Sequence, residues 1–558
     1  MGSSNGVSEA VAAEDVYDAV DGAELVDPMK PRAIVGSLLG LTFRGRHLAR
    51  RSARLGLEAV KITAGRSDVE AAKNDWRFKD EAWRSNPVYH RWMQLYLAWA
   101  DSVMGAVADA RLGDREADRT RFCLEALTTA AAPTNTLIGN PAAIKRAFDT
   151  SGASLVRGVR NAVDDARTNN RMPRQVAKNA YTLGSDLAAT PGSVVYRDEF
   201  CELLQFAPAG GTTFARPMLM VAPQINKYYF MDLAPGRSFV EYAVSRGLSF
   251  FAISWRNPGK DQAGWSLDDY AAAEERAIDV VRDISKSDDV NLLSLCAGGI
   301  LTAGLLSHLA AGSDTRVNSA SFGVTLLDFD TPAPVGMFRV APLLSFARNK
   351  SKSEGILEGR TLGAMFNWMR PNDLVWNYYV NNYLLGEDPP RFDILAWNAD
   401  ATNLPGRLHG QFLDIFQNNQ MVKPGELEIL GSPVDLSKIK IDTYVTGATK
   451  DHLTPWRGCF RTTDLMPGDS TFVLSNAGHI ASLINPPGNP KAHYFAGPEP
   501  NGDADAWEME AVRQEGTWWE HWADWASVRS GEERKAPAKL GNRRYPPIEP
   551  APGQYVRG

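Results

Sequence analysis

The chain is poor in the two residue types that most often bind metals or form disulfides. Its 558 residues include only eight histidines and four cysteines, which are Cys123, Cys201, Cys296 and Cys459. No two cysteines have the C-x-x-C spacing of a zinc site, and their scatter does not suggest a disulfide framework. The sequence therefore predicts no metal site and fits a reducing compartment, which we expect to be the cytoplasm.

The chain also lacks a strong charge of either sign and long apolar runs. It has 60 basic against 66 acidic residues, a net charge of −6, so electrostatics give no reason to expect nucleic acid as a partner. No stretch reaches about 18 uncharged apolar residues, and the polar, acidic residues 1–28 lack the pattern of a secretion signal. We expect residues 1–28 to form a flexible tail.

Motifs for bound nucleotides, redox cofactors and catalytic zinc are missing as well. No G-x-G-x-x-G motif follows the first predicted strand, and neither a Walker A sequence nor H-E-x-x-H occurs. We therefore expect no metal and no resident cofactor. The remaining candidates are small or apolar ligands.

Hydrophobic patterning divides the rest of the chain into two regions. Residues 29–190 have helical periodicity, with one amphipathic helix starting near Pro87. From residue 191 onward short apolar runs alternate with helix-like segments, which predicts a mostly parallel sheet covered on both faces. The strand pattern stops between about 329 and 438, and an insertion of this size is typical of a lid over an active site.

Residues 294–299 predict a nucleophile elbow around Cys296. A predicted strand at 290–293 runs into this segment, and a helix is predicted from 300 to 309. The tight turn needs small residues two positions before and after the nucleophile, and Ser294 and Gly298 meet this need. The helix N-terminus would favour a thiolate and offer the amide of Ala297 to an oxyanion. The motif alone is equally compatible with an inert cysteine in a glycine-containing turn.

Two further residues stand in the order that this elbow requires. In the α/β-hydrolase fold the nucleophile is followed by an acid and then a histidine, each on a loop after a strand. Asp451 follows a predicted strand at 443–446, and His479 follows one at 472–474. We therefore predict Cys296, Asp451 and His479 as catalytic residues. His452 either lines the pocket or caps its loop at the surface.

Together these segments closely resemble polyhydroxyalkanoate (PHA) synthases of the single-subunit type. The resemblance covers about residues 70–558 and includes residues 76–99, 132–141, 223–233, 254–258, 370–379, 393–398, 485–487 and 552–556. Ser294 departs from the family pattern, which often has glycine there, but serine is small enough for the turn.

The resemblance implies an α/β-hydrolase fold with a large lid insertion and a helical N-terminal domain. It implies that Cys296 attacks the thioester of (R)-3-hydroxyacyl-CoA and releases CoA, and that His479 takes the thiol proton. Asp451 would orient His479 or help to activate the 3-hydroxyl group of the incoming unit. A thiolate suits this transfer because it is both a good nucleophile and a good leaving group.

The resemblance also implies the surroundings of the nucleophile. The oxyanion hole would combine the amide of Ala297 with a backbone amide near Gln224 or Ile225, and we name Ile225 as the predicted donor. Asn226, Trp397 and His452 would contact substrate, although Trp397 fits core packing equally well. CoA enters as part of the substrate. Expected partners are the growing polyester chain, the surface of its granule and a second copy of the chain, with the aromatic-rich helical region facing the granule.

Two other functions remain open at this point. A cysteine hydrolase of polyesters or thioesters would have the same triad with water as acceptor, although a simple thioesterase needs neither the lid nor the helical region. A non-catalytic granule protein would not need an aligned nucleophile, acid and base. The preferred acyl length, short or medium, is not determined by these motifs.

Overall fold

The computed structural model describes residues 45–109, 114–330, 341–451 and 453–558. The predicted tail at residues 1–28 and His452 lie outside these ranges. By its internal contacts the chain divides into two units, and the larger includes Tyr181–Gly363 and Asp393–Gly558. The smaller unit consists of Asp21–Ala180 and Ala364–Phe392. The predicted domain boundary near residue 190 lies close to this division, whereas part of the predicted insertion belongs to the smaller unit.

The smaller unit is helical throughout its described part. Its helix at Pro87 begins where the sequence predicts, because proline fits the first turn, where its missing N–H has no intrahelical partner. Phe78, Trp83, Met93 and Tyr96 form a buried aromatic cluster. The helices are Gly45–Thr63, Ala82–Ser85, Pro87–Asp109, Asp114–Ala130, Pro141–Asp149 and Ala153–Thr168, followed after the insertion point by Asn377–Tyr379 between the π-helical turns Asn372–Trp376 and Val380–Leu384.

The larger unit is built on a mixed β-sheet of eleven strands within the described residues. The strands of the described residues, including the short pairs outside this sheet, are β1 Gly192–Arg197, β2 Cys201–Phe206, β3 Thr212–Phe214, β4 Met218–Val221, β5 Phe250–Trp255, β6 Val290–Leu295, β7 Val317–Gly323, β8 Ile356–Leu357, β9 Leu404–Pro405, β10 Glu428–Ile429, β11 Ser432–Pro433, β12 Asp442–Ala448, β13 Ser470–Ser475, β14 His493–Ala496, β15 Val512–Glu515, β16 Glu533–Lys535 and β17 Glu549–Pro550. The order across the large sheet is β15-β14-β13-β12-β7-β6-β4-β5-β2-β1-β17.

The centre of the sheet is parallel and its two sides are antiparallel. Strands β5, β4, β6, β7, β12 and β13 pair in parallel, as their continuous apolar runs predict. The sequence also predicts a strand at 321–327, and this prediction is misplaced. The strand runs instead as β7 and stops at Gly323, because Val324 takes a positive φ of 43° that breaks the extended backbone.

Helices cover the sheet and connect its parallel strands. Alanines and charges at helical spacing predict a crossover helix over Leu267–Ser285, and the helix has these bounds. Ser266 caps it by accepting from the amide of Asp269. The remaining helices of the larger unit are Phe239–Ser245, Ala297–Ala311, Ala341–Glu354, Asp393–Ala399, Gly406–Asn418, Trp456–Phe460, Thr462–Leu465, His479–Leu483, Ala504–Glu510 and Trp518–Arg529. The division between the two units falls within one further helix, Gly359–Met369, after Gly363. Across the described ranges, no helix has both the length and the apolar composition needed to cross a membrane.

Candidate active site

Cys296 occupies the strained turn between β6 and the helix Ala297–Ala311. Its φ of 50° is positive, a conformation that a non-glycine residue adopts only when its surroundings impose it. The amide of Cys296 donates to Gly323 O at 3.0 Å, which ties the turn to the neighbouring strand. The turn places the sulfur at the start of a helix, where the amide groups of the first turn have no intrahelical acceptors.

The elbow needs glycine at two positions because other groups fill the space of a side chain. A Cβ atom at position 298 would lie 2.7 Å from Val221 O and 2.9 Å from Ala222 O, both main-chain atoms at the end of β4. A Cβ atom at position 299 would lie 2.2 Å from the hydroxyl oxygen of Thr325. The two glycines therefore let the turn at Cys296 pack directly against the end of β4 on one side and the loop after β7 on the other.

Asp451 and His479 form a buried acid–base pair at the same edge of the sheet. Main-chain pairing continues past β12 and β13, with Lys450 N donating to Ala477 O at 3.1 Å, so the two loops run side by side. His479 Nδ1 lies 2.6 Å from Asp451 Oδ2. An ionised carboxylate only accepts hydrogen bonds, so Nδ1 carries the proton and Nε2 bears the lone pair of the neutral ring.

The environment of Asp451 keeps it ionised and saturated with donors. Burial raises the pKa of Asp451, but His479 and the hydrogen bonds of Thr454 lower it more, so that it lies below its ordinary value. Oδ1 accepts from the amides of Leu453 and Thr454 at 2.9 and 3.0 Å, and Oδ2 accepts from the Thr454 hydroxyl at 2.7 Å. These contacts favour an orienting role for the carboxylate, whose accepting positions face protein groups.

One pocket brings the sulfur and the imidazole together. Cys296 and His479 both line it, with mainly apolar neighbours: Pro223, Ile225, Asn226, Phe230, Trp397, Ile480 and Leu483. The pocket holds about 330 Å³, counting the part open to solvent. Cys296 is 5% exposed and His479 is 2% exposed. Such a site excludes most water and places the sulfur and the imidazole among apolar side chains.

The two predicted oxyanion donors lie on either side of Cys296, the predicted nucleophile. Ala297 follows Cys296 as the first residue of its helix. Ile225 lies in the loop after β4 and lines the same pocket. In the described part of the chain the amide of Ile225 has no acceptor, whereas the next amide, of Asn226, donates to the Thr402 hydroxyl at 2.7 Å. Ile225 therefore combines a place in the pocket lining with an amide that no described group engages, as binding of an oxyanion requires.

The three predicted substrate contacts have different outcomes. Asn226 and Trp397 both line the pocket. Trp397 is only 2% exposed and donates through Nε1 to Lys227 O at 2.7 Å. It is therefore both a core residue and part of the pocket wall. His452 lies outside the described residues, and its contact with substrate stays a prediction.

Sequence reasoning missed three threonines that support the site. The Thr454 hydroxyl lies 3.1 Å from His479 Nδ1 as well as contacting Asp451. The Thr325 hydroxyl donates to the carbonyl oxygens of Cys296 and Gly323 at 3.3 and 3.2 Å. Thr402 contacts the loop after β4. Thr454 could have been found from its spacing to Asp451, but the other two meet their partners only through the fold.

A buried hydrogen-bonded chain lies behind the elbow and explains how the serine at position 294 is accommodated. The Ser294 hydroxyl donates to Thr302 Oγ1 at 2.8 Å, and Thr302 donates to Glu274 Oε1 at 2.7 Å. Glu274 is fully buried, and among the described residues its second oxygen has no partner. Burial raises the pKa of Glu274 to about 8, against the smaller opposing effect of the Thr302 hydrogen bond.

Replacing Glu274 with glutamine is expected to change how stability depends on pH. The pKa of the Glu274 carboxyl group is 4.5 in the unfolded chain and about 8 in the folded chain. Between these pH values the unfolded state binds fewer protons than the folded state. The free energy of unfolding of the wild type therefore falls as pH rises. The slope from this group is up to about 1.4 kcal/mol per pH unit. Urea unfolding of both proteins at several pH values measures it. The free energy of unfolding of the Glu274→Gln variant should increase relative to that of the wild type as pH rises. A constant difference would mean that Glu274 is already ionised in the folded protein.

Comparisons with known proteins show the family of the chain. Residues 74–243 match the family model described as poly-beta-hydroxybutyrate polymerase (PhaC) N-terminus, and residues 226–486 match that of the alpha/beta hydrolase fold. The chain is 44% identical over 511 residues to a poly(3-hydroxyalkanoate) polymerase 2 of Ectopseudomonas oleovorans, with 91% of each chain covered. It is 38% identical over 507 residues to the poly(3-hydroxyalkanoate) polymerase subunit PhaC of Cupriavidus necator, covering 89% of this chain and 85% of that one. A monoacylglycerol lipase structure of Paleococcus ferrophilus is similar with a TM-score of 0.32 and 14% identity, covering 59% of this chain and 99% of the lipase.

The larger unit therefore has the α/β-hydrolase fold, and the predicted fold class is confirmed. Near-full-length identity to the two polymerases defines the family more narrowly. The chain belongs to the poly(3-hydroxyalkanoate) polymerase family, which confirms the resemblance drawn from the sequence and identifies the chain as an enzyme of the acyltransferase type.

Proposed function

We propose that the chain polymerises (R)-3-hydroxyacyl-CoA into polyhydroxyalkanoate with release of CoA, using Cys296 as nucleophile. A triad and pocket of this kind would also serve a hydrolase. The observation that carries the proposal is therefore the 44% identity over 91% of both chains to a poly(3-hydroxyalkanoate) polymerase. The pocket supports it because it holds a cysteine and a histidine among apolar residues.

In the first step the thiolate of Cys296 attacks the thioester carbonyl carbon of the substrate, and His479 has taken the thiol proton at Nε2. The negative charge that develops on the carbonyl oxygen is bound by the amides of Ala297 and Ile225. Such preorganised donors stabilise the transition state more than the ground state. Collapse of the intermediate breaks the bond to CoA sulfur, the CoA thiolate takes the proton from His479, and an acyl group remains on Cys296.

In the second step the 3-hydroxyl group of another substrate unit attacks an acyl thioester on Cys296. His479 removes the hydroxyl proton, an ester bond forms, and the proton returns to the departing Cys296 sulfur. Asp451 holds the ring of His479 with Nδ1 protonated, which a contact of 2.6 Å supports. We assign Asp451 this orienting role because its oxygens accept from Leu453, Thr454 and His479.

The proposal requires no metal and no resident cofactor, since a thiolate, an imidazole and two amides can carry both steps. CoA takes part as the leaving group of the substrate.

The polyester product is apolar, and three exposed valines follow one face of the helix Ala153–Thr168: Val156, Val159 and Val163. We include contact of the helical unit with a polymer granule, a homodimer and a cytoplasmic location in the proposal. Granule co-sedimentation and light scattering test the first two.

The central experiment incubates the wild type and Cys296→Ala with (R)-3-hydroxybutyryl-CoA and, separately, with (R)-3-hydroxydecanoyl-CoA. Released CoA and precipitated polymer are measured in parallel. We expect the wild type to release CoA and form polymer from at least one substrate, and Cys296→Ala to do neither. The ratio of the two wild-type rates assigns the preferred acyl length.

Other results would replace the proposal with one of its alternatives. CoA release with free hydroxy acid and no polymer would identify a hydrolase. No turnover of either substrate, with a folded protein, would favour a non-catalytic granule protein. Undiminished polymer formation by Cys296→Ala would move the nucleophile elsewhere.

A further inference from the structure

We propose that Thr402 is a positioning residue of the oxyanion hole: its hydroxyl group fixes the peptide plane that carries the amide of Ile225. This inference rests on the function proposed above and adds to it the element that forms the hole. Thr402 belongs to the segment that the chain inserts between β7 and β12, far in sequence from both the nucleophile and the loop after β4.

The Thr402 hydroxyl contacts the main chain on both sides of Ile225. It accepts from the amide of Asn226 at 2.7 Å and donates to the carbonyl oxygen of Gln224 at 3.3 Å. The Gln224 carbonyl and the Ile225 amide belong to one peptide unit, which is trans, since Ala551-Pro552 is the cis bond in the described chain. In a trans unit the C=O and N–H bonds point in opposite directions.

The hydroxyl therefore sets the direction of the Ile225 amide. Because Thr402 holds the carbonyl side of the peptide unit, the N–H bond is directed away from Thr402. Ile225 lines the pocket that contains Cys296 and His479, so the amide is available where the oxyanion forms. Rotation of this peptide unit would exchange the donor for a carbonyl oxygen, which would repel the developing charge.

The loop needs such support because its backbone is strained next to Ile225. Asn226 has a φ of 65°, in the left-handed region that asparagine tolerates better than most residues. Asn226 is 7% exposed, so its amide would be buried without an acceptor if the Thr402 hydroxyl were removed. The loop would then relax toward another conformation.

The same short segment holds the loop at two more points. Trp397 Nε1 donates to Lys227 O at 2.7 Å. Asp400 accepts from Lys227 Nζ at 2.7 Å and from the Tyr229 hydroxyl at 2.9 Å. Residues 397–402 thus act as a clamp on the oxyanion loop, with Thr402 nearest to the functional amide. Movement of this segment would be transmitted directly to the hole.

The test compares Thr402→Val, Thr402→Ser and a matched control, Thr443→Val. Valine has the shape of threonine without its hydroxyl group, and serine keeps that group. Thr443 is equally buried and contacts Ser470 Oγ at 2.7 Å, but it lies at the opposite end of β12 from the site. The two readouts are kcat and KM for CoA release from the better (R)-3-hydroxyacyl-CoA and hydrogen exchange of the main chain at residues 224–227.

For Thr402→Val we expect kcat to fall by about 100-fold with KM changed by less than about threefold, and Thr402→Ser to recover most of the loss. Exchange at residues 224–227 should rise in Thr402→Val alone, and Thr443→Val should match the wild type in both readouts. Wild-type kcat or unchanged exchange in Thr402→Val overturns the inference, as does an equal defect in Thr402→Ser. If the wild type itself releases no CoA, the proposed function fails, and exchange still decides whether Thr402 holds the loop.

Discussion

Replacing His479 with glutamine is expected to lower CoA release from (R)-3-hydroxyacyl-CoA by about 10⁴- to 10⁶-fold, as removal of a triad member does in other enzymes. His479 is the residue that the proposed mechanism uses in both steps, first on the thiol and then on the 3-hydroxyl group. Glutamine is similar in size and can still contact Asp451, but it cannot accept and return a proton near neutral pH. The loss should appear in kcat, measured by the release of CoA.

The matched control is His308→Gln, the same substitution at a histidine near the other end of the nucleophile helix. His308 contacts Ser432 Oγ at 2.9 Å through Nδ1. Its replacement should leave kcat unchanged. His479 acts first on the Cys296 thiol and then on the 3-hydroxyl group, and a second measurement separates these roles. The rate at which iodoacetamide alkylates Cys296 is followed by peptide mass spectrometry. Slower alkylation in His479→Gln reports the effect of His479 on the thiol alone. Activity within about tenfold of the wild type would contradict its role as base.

Replacing Gly298 with alanine is expected to reduce activity by at least about 100-fold, because displacement of a reacting group by about 1 Å has effects of this size. The added Cβ atom would lie 2.7 Å from Val221 O and 2.9 Å from Ala222 O. These main-chain atoms belong to β4 and the start of the oxyanion loop and cannot rotate away like a flexible side chain. The helix carrying the nucleophile must therefore move away from the donors of the oxyanion hole.

The same helix supplies the control, Gly312→Ala. At Gly312 the nearest atom to an added Cβ is Leu309 O at 3.5 Å, an ordinary contact. Gly298→Ala should destabilise the protein by about 1–3 kcal/mol in urea unfolding as well as lose activity, whereas Gly312→Ala should do neither. A fully active Gly298→Ala variant would show that the elbow and β4 can separate without affecting the site.

The proposed catalytic triad could be named from the sequence because the signals for it are local. A strand, a small-residue turn and a helix around Cys296 identify the elbow, and Asp451 and His479 each follow a strand in the required order. The structure places Cys296 and His479 in one pocket and pairs His479 with Asp451. Parallel pairing of β12 with β13 is what brings the two loops together, since the carboxyl ends of parallel strands meet at one edge of the sheet.

Features that join distant segments were much less predictable. In the sequence Glu274 is one charged residue on an amphipathic helix, and its pattern does not distinguish it from the solvent-facing carboxylates around it. The fold instead buries it behind the elbow, in contact with Thr302. Thr402 likewise stands in a loop-rich stretch without a motif, and its partner Asn226 is 176 residues away. No periodicity or spacing rule connects such positions.

The sequence by itself determined the family, the alternation of strands and helices, and the choice of Cys296, Asp451 and His479 as the predicted triad, because each depends on short segments with their own backbone chemistry. Tertiary structure decided that Ile225 lines the pocket of Cys296, that Glu274 is buried behind the elbow and that Thr402 contacts the loop after β4. These depend on packing between segments far apart in the chain, where the position of one hydroxyl group relative to one peptide unit is set by the whole fold.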